Sequence, residues 1–112
     1  MGKAYVLKRS SDTKYYFNLR TENNEIILTS EKYISKQNAT KGINSVKSNS
    51  LIESRYERNV SSRGNYYFNL IDENNEIIGT SEEYYLMEER ENGINDVKII
   101  APIASVIDMT QM

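Results

Sequence analysis

The chain contains no cysteine, no histidine and a single proline among its 112 residues. Without cysteine there can be no disulfide, no thiolate nucleophile and no thiolate-bound metal. Without histidine, the usual zinc, copper and non-haem iron ligand sets are gone, together with Ser-His and Cys-His nucleophile pairs and the commonest general base. No metal site and no cofactor are therefore expected, and catalysis would have to rely on carboxylates, Lys, Arg or Tyr. The five glycines, Gly2, Gly42, Gly64, Gly79 and Gly93, stand apart from one another, so there is no glycine-rich phosphate loop. No apolar run approaches the ~20 residues of a membrane-spanning helix. The N-terminus lacks the apolar segment of a secretory signal, and Val6 stands where myristoylation requires Ser or Thr, which reads as a cytoplasmic protein.

What is present is written twice. Tyr15-Tyr16-Phe17-Asn18-Leu19 returns as Tyr66-Tyr67-Phe68-Asn69-Leu70, and Glu22-Asn23-Asn24-Glu25-Ile26-Ile27 as Glu73-Asn74-Asn75-Glu76-Ile77-Ile78. Thr29-Ser30-Glu31 and Gly42-Ile43-Asn44 recur as Thr80-Ser81-Glu82 and Gly93-Ile94-Asn95. Every pair keeps one offset, the mark of an in-register tandem duplication. Each repeat, 1–53 and 54–112, is too short for a robust core of its own, so the two are expected to form one domain, 1–112.

Within a repeat, hydrophobic periodicity predicts three strands and a helix. Ala4 to Arg9 places Tyr5 and Leu7 on one face and Val6 and Lys8 on the other. Lys14 to Thr21 alternates Tyr15, Phe17 and Leu19 with Tyr16, Asn18 and Arg20, and Glu25 to Thr29 follows across an Asn-Asn turn suited to positive φ. Ser35 is placed to cap a helix from about Lys36 to Ser48, whose apolar stripe is Ala39, Ile43 and Val46. The second repeat predicts strands at Arg55–Val60, Tyr66–Ile71 and Glu76–Thr80 and a helix from about Leu86 to Lys98. The segment holding Ile103, Val106, Ile107 and Met109 is expected to be a buried last strand.

These blocks resemble the YegP-like bacterial family of uncharacterised function. The resemblance is carried by YYFNL and ENNEII, by Thr29 to Lys36, by Lys41-Gly42-Ile43 with Ser45 to Ser50, and by Arg55-Tyr56-Glu57. It implies an α+β fold of tandem β(3)-α-β repeats related by a pseudo-twofold: one mostly antiparallel sheet, two helices on one face, and C-terminal strands exchanged between halves. It brings no catalytic residues with it. The acidic Met87-Glu88-Glu89-Arg90-Glu91 and the apolar tail depart from the family pattern.

Two constellations are candidates for function. Tyr16, Asn18, Tyr67 and Asn69 fall on the sheet face away from the helices, where they could stack on a ligand, or where cross-strand tyrosine pairs stabilise a half-exposed sheet. Ser30, Glu31, Ser81 and Glu82 form a repeated polar connection that could hold an acid/base pair, or that orients the strand-to-helix turn. Residues 1–53 carry nine basic and five acidic side chains, a balance of +4, and residues 54–112 five and eleven, a balance of -6. This asymmetry suggests that a basic helix with Lys36, Lys41 and Lys47 lies beside an acidic one with Glu88, Glu89 and Glu91, favouring internal pairing in a monomer. The composition reads as a non-catalytic binding module with a protein or small-molecule partner. Nucleic acid is a second reading, disfavoured by the overall charge of -2.

Overall fold

The computed structural model describes residues 2–111. In chain order the elements are β1 (Ala4–Arg9), β2 (Tyr15–Arg20), β3 (Ile26–Thr29), α1 (Lys36–Asn49), a 3₁₀ turn at Glu53–Arg55, β4 (Tyr56–Val60), β5 (Tyr66–Ile71), β6 (Ile77–Thr80), α2 (Met87–Ile100) and β7 (Ser105–Asp108). Seven strands form one sheet in the order β4-β5-β6-β3-β2-β1-β7. All neighbours are antiparallel except β1 and β7. The two three-stranded meanders meet at β3 and β6 through the pair Thr29 and Thr80, so the pseudo-twofold passes between them.

Local chemistry sets the boundaries. Asn24 and Asn75 both adopt φ of 65°, which lets the β2–β3 and β5–β6 turns close, and Gly64 takes φ of 82° in the β4–β5 turn. Ser35 caps α1 by accepting from the Asn38 N–H at 3.0 Å. α2 begins without such a cap; instead, the Glu89 carboxylate accepts from the Leu86 N–H at 3.0 Å. A bulge in β3 leaves Ile27 unpaired between Ile26, opposite Arg20, and Leu28, opposite Leu19, and Ile78 has the same place in β6. The extra residue turns both isoleucines into the core, where they are 4% and 6% exposed.

One core joins Tyr5, Phe17, Leu19, Phe68 and Leu70 from the strands to Ala39, Ile43 and Val46 of α1 and to Ile94 and Val97 of α2. The helices cross over: α1 packs on β5 and β6 as well as β2, and α2 on β3 as well as β5. Tyrosine hydroxyls seal the exchange. Buried Tyr5 of the first repeat donates to the carbonyl of Ala101 at the end of α2, 2.7 Å away, and Tyr56 at the start of β4 donates to that of Ser50 at the end of α1, 2.6 Å away. Each bond satisfies a polar group in the core and a free carbonyl of a helix terminus.

β4 follows α1 where the sequence places a strand, closing the first unit and opening the second, so two units give seven strands, while two other features differ from the sequence expectation. At the position of the core residue Leu7, β4 carries Arg58, paired with Glu53 and Glu91 at 2.8 and 2.9 Å, as suits a sheet edge. The last strand forms and joins β1, delivering the exchange, yet the apolar segment is not buried as expected: Val106 in β7 is 47% exposed, and Ile103 and Met109 on either side of the strand are 64% and 44% exposed, since β7 lies at the other edge, where only its β1 side is covered. Finally, among the described residues no ion pair joins Lys36, Lys41 or Lys47 to Glu88, Glu89 or Glu91. Lys36 pairs with Asp108 at 2.9 Å, while Lys47 lies over the Tyr5 ring, because each helix packs on the sheet rather than along its sister.

Candidate functional site

The structure places the sequence-nominated residues in different settings. Tyr16 and Tyr67 are half-buried on the sheet face opposite the helices, beside Lys8 and Asn59 respectively. Asn18 and Asn69 share that face but are buried, and their amide oxygens are engaged: Asn18 accepts from Arg20 Nε at 2.7 Å, and Asn69 from the Thr80 hydroxyl at 2.9 Å. Ser30 and Ser81 are also buried. Their hydroxyls accept from the N–H of Phe17 and Phe68, both at 2.9 Å, and donate to the carbonyls of Glu31 and Glu82. They fasten the strand exits to the centre of the sheet. Glu31 and Glu82 are exposed on the strand exits, and Glu31 faces a cleft against α1.

Just beyond them the chain builds something the sequence did not announce. Tyr33 bridges back to Tyr15 through paired backbone bonds of 2.7 and 2.8 Å, and Tyr84 to Tyr66 in the same way. The hydroxyl end of each ring is thereby held against a helix at its glycine. A Cβ on Gly42 would stand 2.6 Å from Tyr33 Cζ, and one on Gly93 would stand 2.8 Å from the Tyr84 hydroxyl. Only a residue without a side chain allows this approach, which accounts for the mid-helix glycines despite their cost of about 1 kcal/mol in helix propensity. Tyr33 also stacks on Phe17, with ring planes 7° apart.

Beside each tyrosine a cleft opens between the helix of one repeat and the β-hairpin of the other. The larger, about 760 Å³, runs between α1 at Asn38, Lys41 and Ser45 and the β5–β6 hairpin at Asp72, Asn75, Glu76 and Ile77, with Tyr33 and Ile78 at its base and the sequence-nominated Glu31 on its rim. Its pseudo-twofold mate, about 240 Å³, lies between Glu89, Asn92 and Asp96 of α2 and Glu25 and Ile26, with Tyr84 and Ile27 at its base. The walls differ electrostatically. Lys41 in the first cleft is matched by Asn92 in the second, and Ser45 by Asp96. Burial and the carboxylates of Glu31 and Asp72 push the Tyr33 phenol up. Burial followed by Glu82, Asp96, Glu25 and Glu89 does the same to Tyr84. Burial and the neighbouring Glu25 raise Asp96. Asp72 and Glu25 act across the repeat boundary, so each cleft exists only when both repeats are assembled.

Sequence reasoning missed the hairpin walls because Asp72, Glu76 and Ile77 reach Tyr33 only through the sheet order. One signal was legible: a tyrosine nine residues before a mid-helix glycine, at Tyr33 and Gly42 and again at Tyr84 and Gly93. Among the described residues there is no group of three or more acidic side chains arranged to hold a metal ion, and no helix is long and apolar enough to cross a membrane.

A duplicated α+β unit with crossed helices, a shared sheet and twin tyrosine clefts defines the class to which this chain belongs. The chain is a member of the family described as Domain of unknown function (DUF1508), which it matches twice, at residues 10–57 and 61–108. Each matched stretch runs from the turn before a long strand, through the helix, into the strand that follows, so β1 lies outside both. The chain is 47% identical over 110 residues to the UPF0339 protein YegP of Escherichia coli (strain K12), covering 98% of this chain and 100% of that protein. It is 46% identical over 107 residues to a UPF0339 protein of Bordetella pertussis, covering 96% of each. The solution NMR structure of the yegP protein of unknown function from E. coli matches the fold with a TM-score of 0.94 at 46% identity, over 100% of this chain and 97% of that one. The solution NMR structure of a UPF0339 protein from Shewanella oneidensis matches with a TM-score of 0.91 at 42% identity, over 98% and 93%. The family's function is not established, and nothing in these relatives points to catalysis.

Proposed function

We propose that the protein is a non-catalytic cytoplasmic binding module, monomeric at micromolar concentration, that takes a small ligand in the cleft between α1 and the β5–β6 hairpin. The carrying observation is the cleft itself. At about 760 Å³ it falls in the range of ligand sites, ~300–1,000 Å³, and it combines a half-buried tyrosine at its base with Ile77, 41% exposed, on its otherwise polar hairpin wall. The non-catalytic reading is supported by the engagement of Ser30 and Ser81 in backbone hydrogen bonds and by the lack of any thiol or imidazole to activate a nucleophile. Recognition of nucleic acid through Tyr16 and Tyr67 is less favoured, since the adjoining amides of Asn18 and Asn69 are buried and already bonded.

The test is an amide-shift map of the isotopically labelled full chain titrated with bacterial extract, with and without nuclease treatment. Shifts clustered at Gly42, Ser45, Asn75 and Ile77 that survive nuclease are the expected result. Shifts confined to the strands of Tyr16 and Tyr67, and lost on nuclease treatment, would overturn it in favour of nucleic acid.

A further inference from the structure

The α1 and hairpin walls of the larger cleft carry opposite charges. On the α1 side stand hydrogen-bond donors, the Lys41 ammonium with the Asn38 amide and the Ser45 hydroxyl; on the hairpin side stand the carboxylates of Glu76 and Asp72, and a third carboxylate, Glu31, lines the cleft from the β3 exit beside Tyr33. Asp72 spends one oxygen on its own turn, accepting from the Asn74 and Glu76 N–H groups at 2.8 and 3.0 Å. Lys41 and Glu76 have no ion-pair partner among the described residues, although ion pairs occur elsewhere on the surface. Between the walls lie the apolar surfaces of Tyr33, Ile77 and Ile78. The second cleft repeats this shape at about a third of the volume, and with Asn92 and Asp96 replacing Lys41 and Ser45 it has acceptors on both sides and no cation.

We infer that the larger cleft recognises a zwitterionic small molecule with an apolar body, of the chemical class of an α-amino acid: its carboxylate set against Lys41 on α1, its ammonium against Glu76 on the β5–β6 hairpin, and its side chain over Tyr33 and Ile77. The inference rests on the binding reading above and adds the ligand's charge pattern. A purely anionic ligand would be repelled by Glu31, Asp72 and Glu76, and a purely cationic one would leave Lys41 without a counter-charge. A ligand carrying both charges at opposite ends relieves both. The second cleft repels the carboxylate and so discriminates against the same molecule.

Three probes share one hydrocarbon frame and differ only in charge: L-phenylalanine, 3-phenylpropionate without the ammonium, and phenethylamine without the carboxylate. Each is titrated at neutral pH into the labelled full chain, into Lys41→Gln and into Glu76→Gln, both exposed positions that leave the core intact. Phenylalanine should shift the amides of Gly42, Ser45, Asn75 and Ile77, and should bind about fivefold more tightly than either single-charge probe, the ratio that one exposed ion pair at the upper end of its range supplies. Lys41→Gln should weaken phenylalanine and 3-phenylpropionate but not phenethylamine, and Glu76→Gln should weaken phenylalanine and phenethylamine but not 3-phenylpropionate. Equal affinity of the three probes at the cleft, no binding of any, or indifference to both variants would overturn the zwitterion while leaving the cleft open to another ligand. Shifts at Tyr84 and Gly93 as large as those at Tyr33 and Gly42 would overturn the discrimination between clefts. Shifts away from both clefts would overturn the binding reading itself.

Discussion

Leu28 lies over Gly79, its own counterpart in the other repeat: a Cβ built on Gly79 would stand 2.7 Å from both Cγ and a Cδ of Leu28. Both residues are buried where β3 meets β6 at the pseudo-twofold. Space there admits one large side chain, supplied by the first repeat and received by the second. Two first repeats joined in the same way would set leucine against leucine, and two second repeats would leave a hole. Packing at the axis thus favours pairing of unlike repeats, the preference that charge on the helices had been expected to supply.

The contact between Tyr33 and Gly42 fixes the position of the cleft base. Gly42→Ala should destabilise the fold by about 1–3 kcal/mol, the range for forcing a methyl into a packed site. With Tyr33→Ala already in place, the same substitution should become neutral or stabilise by up to about 1 kcal/mol, because only the helix-propensity gain remains. Urea unfolding of the two single variants and the double variant checks this, and a destabilisation that persists without the tyrosine ring would place the cause elsewhere.

Asp96 gives the second cleft a pH dependence. Burial and Glu25 hold its carboxyl above the ordinary 3.8, so the folded state binds this proton more tightly than the unfolded chain does. As pH rises from about 3.8 through the raised value, ionisation of Asp96 therefore removes stability. Asp96→Asn should raise the melting temperature at neutral pH by about 1–2 °C, the scale of a partly exposed like-charge repulsion in a domain of this size, and the gain should vanish near pH 3.5. Asp108, brought down to about 2 by Thr110 and Lys36, has the opposite sign: it supports the fold above its ordinary 3.8 and loses that contribution as pH falls towards 2. A gain from Asp96→Asn that grew on acidification would contradict the assignment.

The duplication made the strands, both helices and the turn asparagines readable, because each pattern appeared twice with its periodicity intact. Residues whose partners lie in the other repeat were not readable. Ile77 reads as an ordinary strand residue, and only the order β5-β6-β3-β2 puts it across from Tyr33. The departures from repetition were hardest of all. Arg9 of β1 lies 5.5 Å over the Tyr15 ring, while Arg90 of α2 lies 5.3 Å over the equivalent Tyr66. The second repeat has Val60 in place of Arg9, and the first has Ala39 in place of Arg90, so the same guanidinium contact is delivered from a strand in one half and a helix in the other. The exposure of Val106 and Met109 was misread for a related reason: an apolar segment signals burial only if something covers it, and the sequence does not say which strand lies at an edge.

The exchange of residues 28 and 79 tests most directly whether the two repeats form one domain locked at their axis. Leu28→Gly alone should cost more than about 3 kcal/mol, as cavity formation at a fully buried leucine does, and Gly79→Leu alone about 1–3 kcal/mol from overpacking. The double variant, carrying the leucine on β6 and the glycine on β3, should recover at least about 2 kcal/mol relative to the sum of the single changes. Free energies of unfolding from urea titration of all four proteins give the coupling. Recovery of that size is the result predicted; additive losses would contradict a shared site at the pseudo-twofold and, with it, the interlocked assembly on which both clefts depend.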